Sequence, residues 1–136
     1  MNILYVDDDS DDTEVFCEAI TTIDKNSSCI TAANGLLALQ ILAEKNPKPD
    51  YIFLDINMPF MNGKECLAAI KKDDQLKHIP VIMYSTSTST NEIKECYALG
   101  AFDFLIKPDR FTKLCEDLDS IFSTPKGNAQ YQRHFW

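Results

Sequence analysis

No apolar run in this sequence approaches the roughly 20 residues that a membrane-spanning helix requires. Nor does the N-terminus carry a basic segment followed by a long apolar stretch. Met1-Asn2-Ile3-Leu4-Tyr5-Val6 runs straight into aspartates, so no signal peptide is expected and the protein is read as cytoplasmic. Basic residues are in the minority, 13 against 21 acidic, for a formal net charge of −8. Nucleic-acid binding depends on Lys and Arg displacing phosphate counterions, and an anionic membrane surface makes a similar demand. Neither is an expected partner. Cysteine pairs of the C-x-x-C type are also missing. The five cysteines, Cys17, Cys29, Cys66, Cys96 and Cys115, are odd in number and widely spaced. That argues against a zinc site or a disulfide framework, and for free thiols acting as small buried hydrophobes.

What is present suits one compact domain. The chain has 136 residues, of which 45% are hydrophobic and 25% charged, enough for a single core without metal or disulfide staples. Short apolar runs alternate with helical periodicities. Ile3–Val6 reads as a buried strand, followed by a helix from about Asp11 to Ile23 with Val15, Phe16, Ala19, Ile20 and Ile23 on one face. Cys29–Ala33 is a weaker strand, and a helix from Gly35 to Lys45 stops at Asn46-Pro47. Tyr51–Leu54 is a third strand and Gly63–Lys72 a short helix. Val81–Tyr84 follows Pro80 as a fourth strand, and a helix from Thr90 to Leu99 ends at Gly100, suited to the C′ position. Phe102–Ile106 is the fifth strand, and Asp109 is expected to cap a last helix carrying Phe111, Leu114, Leu118, Ile121 and Phe122.

Five strand–helix pairs in strict alternation imply an α/β protein, a doubly wound parallel sheet with helices on both faces. In such sheets the site lies beyond the carboxyl ends of the strands. The residues just past the strands are Asp7 and Asp8, then Asp55, then Ser85 and Thr86, then Lys107-Pro108. Three carboxylates, a hydroxyl and a lysine would meet at one edge. Carboxylates so placed ask for a cation, and oxygen donors suit Mg²⁺. The chemistry this permits is in-line phosphoryl transfer onto a carboxylate, with metal, lysine and hydroxyl stabilising the equatorial oxygens.

The run Tyr5-Val6-Asp7-Asp8-Asp9, then Phe53-Leu54-Asp55-Ile56-Asn57-Met58-Pro59 with Gly63, then Ser85-Thr86, then Lys107-Pro108, resembles the receiver domain of two-component response regulators. The match spans residues 1 to about 122, leaving a tail, residues 123–136, too short for an output domain. The resemblance implies a flavodoxin-like (βα)5 fold, five parallel strands in the order 2-1-3-4-5. It implies Asp55 as phosphoacceptor, Asp7 and Asp8 as Mg²⁺ ligands with Asp55 and the backbone carbonyl of Asn57, and Ser85 and Lys107 as partners of the phosphoryl oxygens. A cis Lys107–Pro108 bond is common in the family. Ser85 and Phe104 stand at the switch positions, and Phe104 is expected to turn inward on activation. The surface of the fourth helix, fifth strand and fifth helix would then bind a downstream protein. The implied donor is a sensor histidine kinase or phosphotransfer protein, and the chain is no enzyme beyond its own phosphorylation and dephosphorylation. Thr86 replaces the commoner Ala, and Asn57 and Ser87 flank the acceptor with no acid or amide two residues past Ser85, which implies tighter access and slower hydrolysis.

Other readings fit less of the sequence. Six carboxylates fall within residues 7–14, and a helix start accounts for Asp11, Asp12 and Glu14, though not for Asp7 and Asp8 directly after a buried strand. An EF-hand would use Asp7, Asp9, Asp11, Thr13 and Glu18, yet Asp12 stands where its turn needs Gly and a strand precedes it. An aspartyl-phosphate hydrolase with Asp7 as nucleophile leaves Asp55 and Lys107-Pro108 unexplained. Tyr131, Phe135 and Trp136 in the tail fit either a flexible terminus or an aromatic clamp onto the core or onto a second subunit in a homodimer.

Overall fold

A computed structural model describes residues 1–125, and the expectations for Tyr131, Phe135 and Trp136 lie outside the described residues. The elements alternate throughout: β1 (Asn2–Val6), α1 (Ser10–Ile23), β2 (Ser28–Ala32), α2 (Gly35–Glu44), β3 (Tyr51–Leu54), α3 (Gly63–Lys72), β4 (Val81–Ser85), α4 (Thr90–Ala98), β5 (Asp103–Ile106) and α5 (Phe111–Ser123). All strand pairs are parallel, in the order β2-β1-β3-β4-β5, as the resemblance implied. No helix among the described residues is long and apolar enough to cross a membrane.

Alternation along the strands builds two cores. Leu4, Val6, Ile52, Leu54 and Met83 face one side, where Leu42 of α2, Leu67 and Ile70 of α3 and Ile93 of α4 pack on them. Ile3, Tyr5, Phe53, Ile82 and Tyr84 face the other, against Phe16 and Ile20 of α1 and Leu114, Leu118 and Ile121 of α5. Two-sided burial explains why β1, β3 and β4 are continuous apolar runs, whereas the edge strand β2 has only Ala32 fully buried. Aromatic contacts thread the second core: Tyr5 stacks on Phe16 with centroids 4.1 Å apart, and Phe16 meets Phe53 at 4.8 Å.

Helix ends follow the local chemistry in most places. Asp9 caps α1 by accepting the N–H groups of Asp11 and Asp12, and Asn62 and Glu65 form a reciprocal capping box on α3. After α4, Gly100 takes φ 106°, with Gly100 N–H donating to Tyr97 O and Ala101 N–H to Cys96 O, the paired bonds of a Schellman motif. Asp109 does not cap α5. The helix begins at Phe111, so Arg110 holds the cap position, and a side chain with no acceptor leaves it without a side-chain cap bond.

Two further expectations are corrected. Cys17 and Cys29 form a disulfide, because α1 packs against β2 and brings their Cα atoms to 5.7 Å. The two lie 12 positions apart in sequence, so no local motif announces the pair. Cys66 and Cys96 are free and fully buried, and burial pushes their thiols up to about 12 and about 11. The cis bond among the described residues is Asn46–Pro47, and Lys107–Pro108 is not cis. The trans form is the lower-energy state of an X–Pro bond.

Candidate functional site

The strand ends converge because each ladder runs one residue past its strand. Asp7 N–H donates to Ala32 O at 3.0 Å, Asp55 N–H to Val6 O at 2.9 Å, and Lys107 N–H to Ser85 O at 2.8 Å. Three site residues are thus fixed by backbone bonds to the neighbouring strand before any side-chain contact is considered. Carboxylate oxygens of Asp7, Asp8 and Asp55 all lie within 4.8 Å of one another. Asp7 and Asp55 are buried and Asp8 is exposed, so the cluster opens to solvent on one side.

Each buried carboxylate is held. Asp7 Oδ2 accepts from Tyr5 OH at 2.6 Å and from Lys107 Nζ at 3.0 Å, and Asp7 Oδ1 accepts the Asp9 N–H at 3.0 Å. Asp55 Oδ1 accepts the N–H of Ile56 at 2.8 Å. Burial pushes the Asp55 carboxyl up to about 6; the Lys107 ammonium pulls it down, and the charge of Asp7 adds to the rise. Lys107 Nζ lies 3.8 Å from Asp55 Oδ2, 2.8 Å from Asp12 Oδ2 and 5.4 Å from the centroid of the Tyr84 ring. Burial works to lower its pKa, yet the hydrogen bonds to Asp12 and Asp7 and the charge of Asp55 hold it above the usual lysine range. Tyr5 is driven upward by burial and by its bond to Asp7, so it stays a donor.

Gly63 makes the loop after Asp55 possible. Its N–H donates to Ile56 O at 2.8 Å, and a Cβ there would stand 2.2 Å from the backbone oxygen of Asp55. Opposite conditions hold at Phe60, which takes φ 68° and is 83% exposed, a strained placement for a bulky side chain.

Asp7, Asp8, Asp55 and Lys107 therefore come together as the sequence suggested. Ser85 is buried at the end of β4, its Oγ accepting the Ser87 N–H at 3.1 Å. Asn57 is exposed two residues past Asp55. Phe104 is 0% exposed, packed in the core with Met83, Ile93 and Cys96, so its ring already lies inward in this structure. Two participants were missed. Tyr5 lies two residues before Asp7, and strand alternation puts both on one face, a signal available in the sequence. Asp12 reaches Lys107 across 95 residues, and nothing local marks that bond.

Hard oxygen donors in this number, partly open to water, fit Mg²⁺ or Mn²⁺ rather than a softer metal. A profile of the response regulator receiver domain matches residues 3–119. The chemotaxis protein CheY-3 of Vibrio cholerae is 34% identical over 122 residues, covering 90% of this chain and 92% of that protein. The crystal structure of the phosphorylated cyanobacterial phytochrome response regulator RcpA is similar, with TM-score 0.79, 30% identity and coverage of 88% of this chain and 89% of that one. The Mn²⁺-bound form of response regulator Rcp1 is comparable, with TM-score 0.78, 31% identity and coverage of 90% and 91%.

Proposed function

The chain belongs to the response regulator receiver domain family, and from that premise we propose that it accepts a phosphoryl group on Asp55 and relays a signal by the resulting change of shape. The observation that carries this reading is one buried carboxylate, Asp55, flanked by two more acids and a lysine at the carboxyl edge of the sheet. A pKa of about 6 leaves Asp55 about nine-tenths ionised at neutral pH, ready as a nucleophile. Its oxygen attacks the phosphorus of a phosphohistidine on a sensor kinase or phosphotransfer protein. The P–N bond breaks and its electron pair returns to the imidazole. Asp7, Asp8 and Asp55, with the Asn57 carbonyl, would hold Mg²⁺, which when bound supplies positive charge against the phosphoryl oxygens. Lys107 offers its ammonium to one phosphoryl oxygen and the Ser85 hydroxyl donates to another.

We take residues 1–122 as the unit that does this. It works in the cytoplasm and turns over no substrate beyond its own phosphoryl group. The output surface is α4, β5 and α5, where Leu99, Ile106 and Phe111 are exposed apolar residues suited to a protein target. Because Phe104 is already buried, the change on phosphorylation centres on Ser85 and the β4–α4 loop. Intact-protein mass after incubation with Mg²⁺ and acetyl phosphate tests the reading. One added phosphoryl group is expected on the wild type and none on Asp55→Asn; labelling of both would move the acceptor to Asp7 or Asp8 and refute the assignment.

A further inference from the structure

Lys107 has three carboxylates around its ammonium and hydrogen-bonds only two of them. Its ammonium bonds Asp12 Oδ2 at 2.8 Å and Asp7 Oδ2 at 3.0 Å, while Asp55 Oδ2 stands at 3.8 Å, beyond hydrogen-bond reach. Asp7 is not free to yield, since Tyr5 OH and the Asp9 N–H fix both of its oxygens. Asp12 is the outlying partner. Its side chain is 43% exposed, and its backbone N–H is held in the first turn of α1 by the Asp9 cap, which sets where its carboxylate can reach. An acid in a first turn needs no ion pair to be favourable there. Yet this one crosses from α1 to the end of β5 and takes the lysine that the proposed chemistry needs at Asp55.

We propose that Asp12 is a positioning residue, a tether that draws Lys107 toward α1 and sets how readily its ammonium reaches a phosphoryl group on Asp55. The proposal rests on the receiver reading and adds a regulator of its own site. While the tether holds, the lysine leans outward, and phosphoryl binding must break or stretch the Asp12 bond. Without it, the same ammonium keeps Asp7 and is free to turn to the acceptor. Since Asp12 is half exposed, solvent weakens the pair, and its removal is worth about two- to fivefold in affinity for a phosphoryl group.

Two variants, Asp12→Asn and Asp12→Glu, are made in the wild type and in a Lys107→Ala background. Three quantities are read: binding of beryllofluoride as a phosphoryl mimic and labelling by acetyl phosphate, both at saturating Mg²⁺, and the side-chain ammonium signal of Lys107 by ¹⁵N NMR without metal. Asp12→Asn is expected to bind beryllofluoride about two- to fivefold tighter and to label faster by a similar factor. Asp12→Glu should behave as wild type, and the Asn effect should vanish when Lys107 is Ala. An equal gain in the Lys107→Ala background would mean a general charge effect and overturn the tether, as would no gain at all. The metal-free signal decides independently: hydrogen exchange of the Lys107 ammonium should be slow in wild type and faster in Asp12→Asn, and unchanged exchange refutes the tether. If wild type neither binds beryllofluoride nor takes a phosphoryl group, the receiver reading fails, and this exchange measurement alone still judges whether Asp12 holds Lys107.

Discussion

Replacing Asp55, the proposed acceptor, should make the metal-free protein more stable, although it removes a residue of the site. Burial lifts the Asp55 carboxyl from its ordinary 3.8 to about 6, against the pull of Lys107. A raised carboxyl pKa means that the folded protein holds the proton more tightly than the unfolded chain. Between 3.8 and about 6 the native state therefore binds more protons, and stability falls as pH rises through that window. Above about 6 both states are ionised and the full cost persists; below 3.8 both are protonated and it disappears. The gap corresponds to about 3 kcal/mol. An amide must still be buried, and Lys107 loses the attraction of Asp55, so Asp55→Asn should gain about 1–2 kcal/mol at pH 8. Urea melts of wild type and variant in EDTA, at half-unit steps from pH 3.5 to 8, measure the difference. It should grow from near zero at the acid end to its full value above pH 6.5. A constant difference across the range, or a variant less stable at pH 8, would refute the argument that an ionised Asp55 is a buried, under-compensated charge.

Gly63→Ala places a Cβ 2.2 Å from the Asp55 carbonyl oxygen and 2.8 Å from Ile56 Cα, and backbone cannot give way there as a side chain would. It should lose about 2–3 kcal/mol in urea melts and slow acetyl phosphate labelling roughly tenfold, because the acceptor is displaced with its loop. Phe60→Gly removes an exposed aromatic from a left-handed conformation and should gain about 0.5–1 kcal/mol, read the same way. A loss of stability instead would show that the aromatic makes contacts that outweigh the strain.

Strand ends were the legible part of this protein. A buried parallel strand must be apolar on both faces, so the first charged residue after Val6 or Leu54 marks where the strand leaves the core. The same rule put Asp7, Asp55 and Lys107 at one edge, and the backbone bonds to Ala32, Val6 and Ser85 hold them there. Gly100 was readable because a helix C′ position rewards a residue that accepts positive φ. Contacts between elements were not legible. Cys17–Cys29 depends on how α1 lies across β2, and Asp12–Lys107 on how α1 approaches the end of β5. The start of α5 was misplaced because Asp109 is a good capping residue by type, whereas the chain past Pro108 turns into the helix one residue later. Tyr5 looked like core and is core. Its hydroxyl serves the site only because period-two alternation aims it at Asp7.

Charge explains why these parts belong together. Asp7, Asp12 and Asp55 lie around a single ammonium and Asp8 clusters with Asp7 and Asp55, so when all are ionised the local sum is four negative charges against one positive, −3. A phosphoryl group brings further negative charge, and two of the three Lys107 N–H groups are already committed to Asp7 and Asp12. The proposed divalent cation would bring the sum to about −1, which still leaves the lysine as the adjustable charge. Tyr5 contributes in the same sense, since its hydroxyl takes part of the Asp7 charge and leaves less of it for the lysine to neutralise. The acids nearest Asp55 then divide by position: Asp7 and Asp8, at the strand end, are the proposed metal donors, and Asp12, on the helix, competes for the lysine. That division follows from where β1 ends and α1 begins, three residues, Asp7 to Asp9, lying between them.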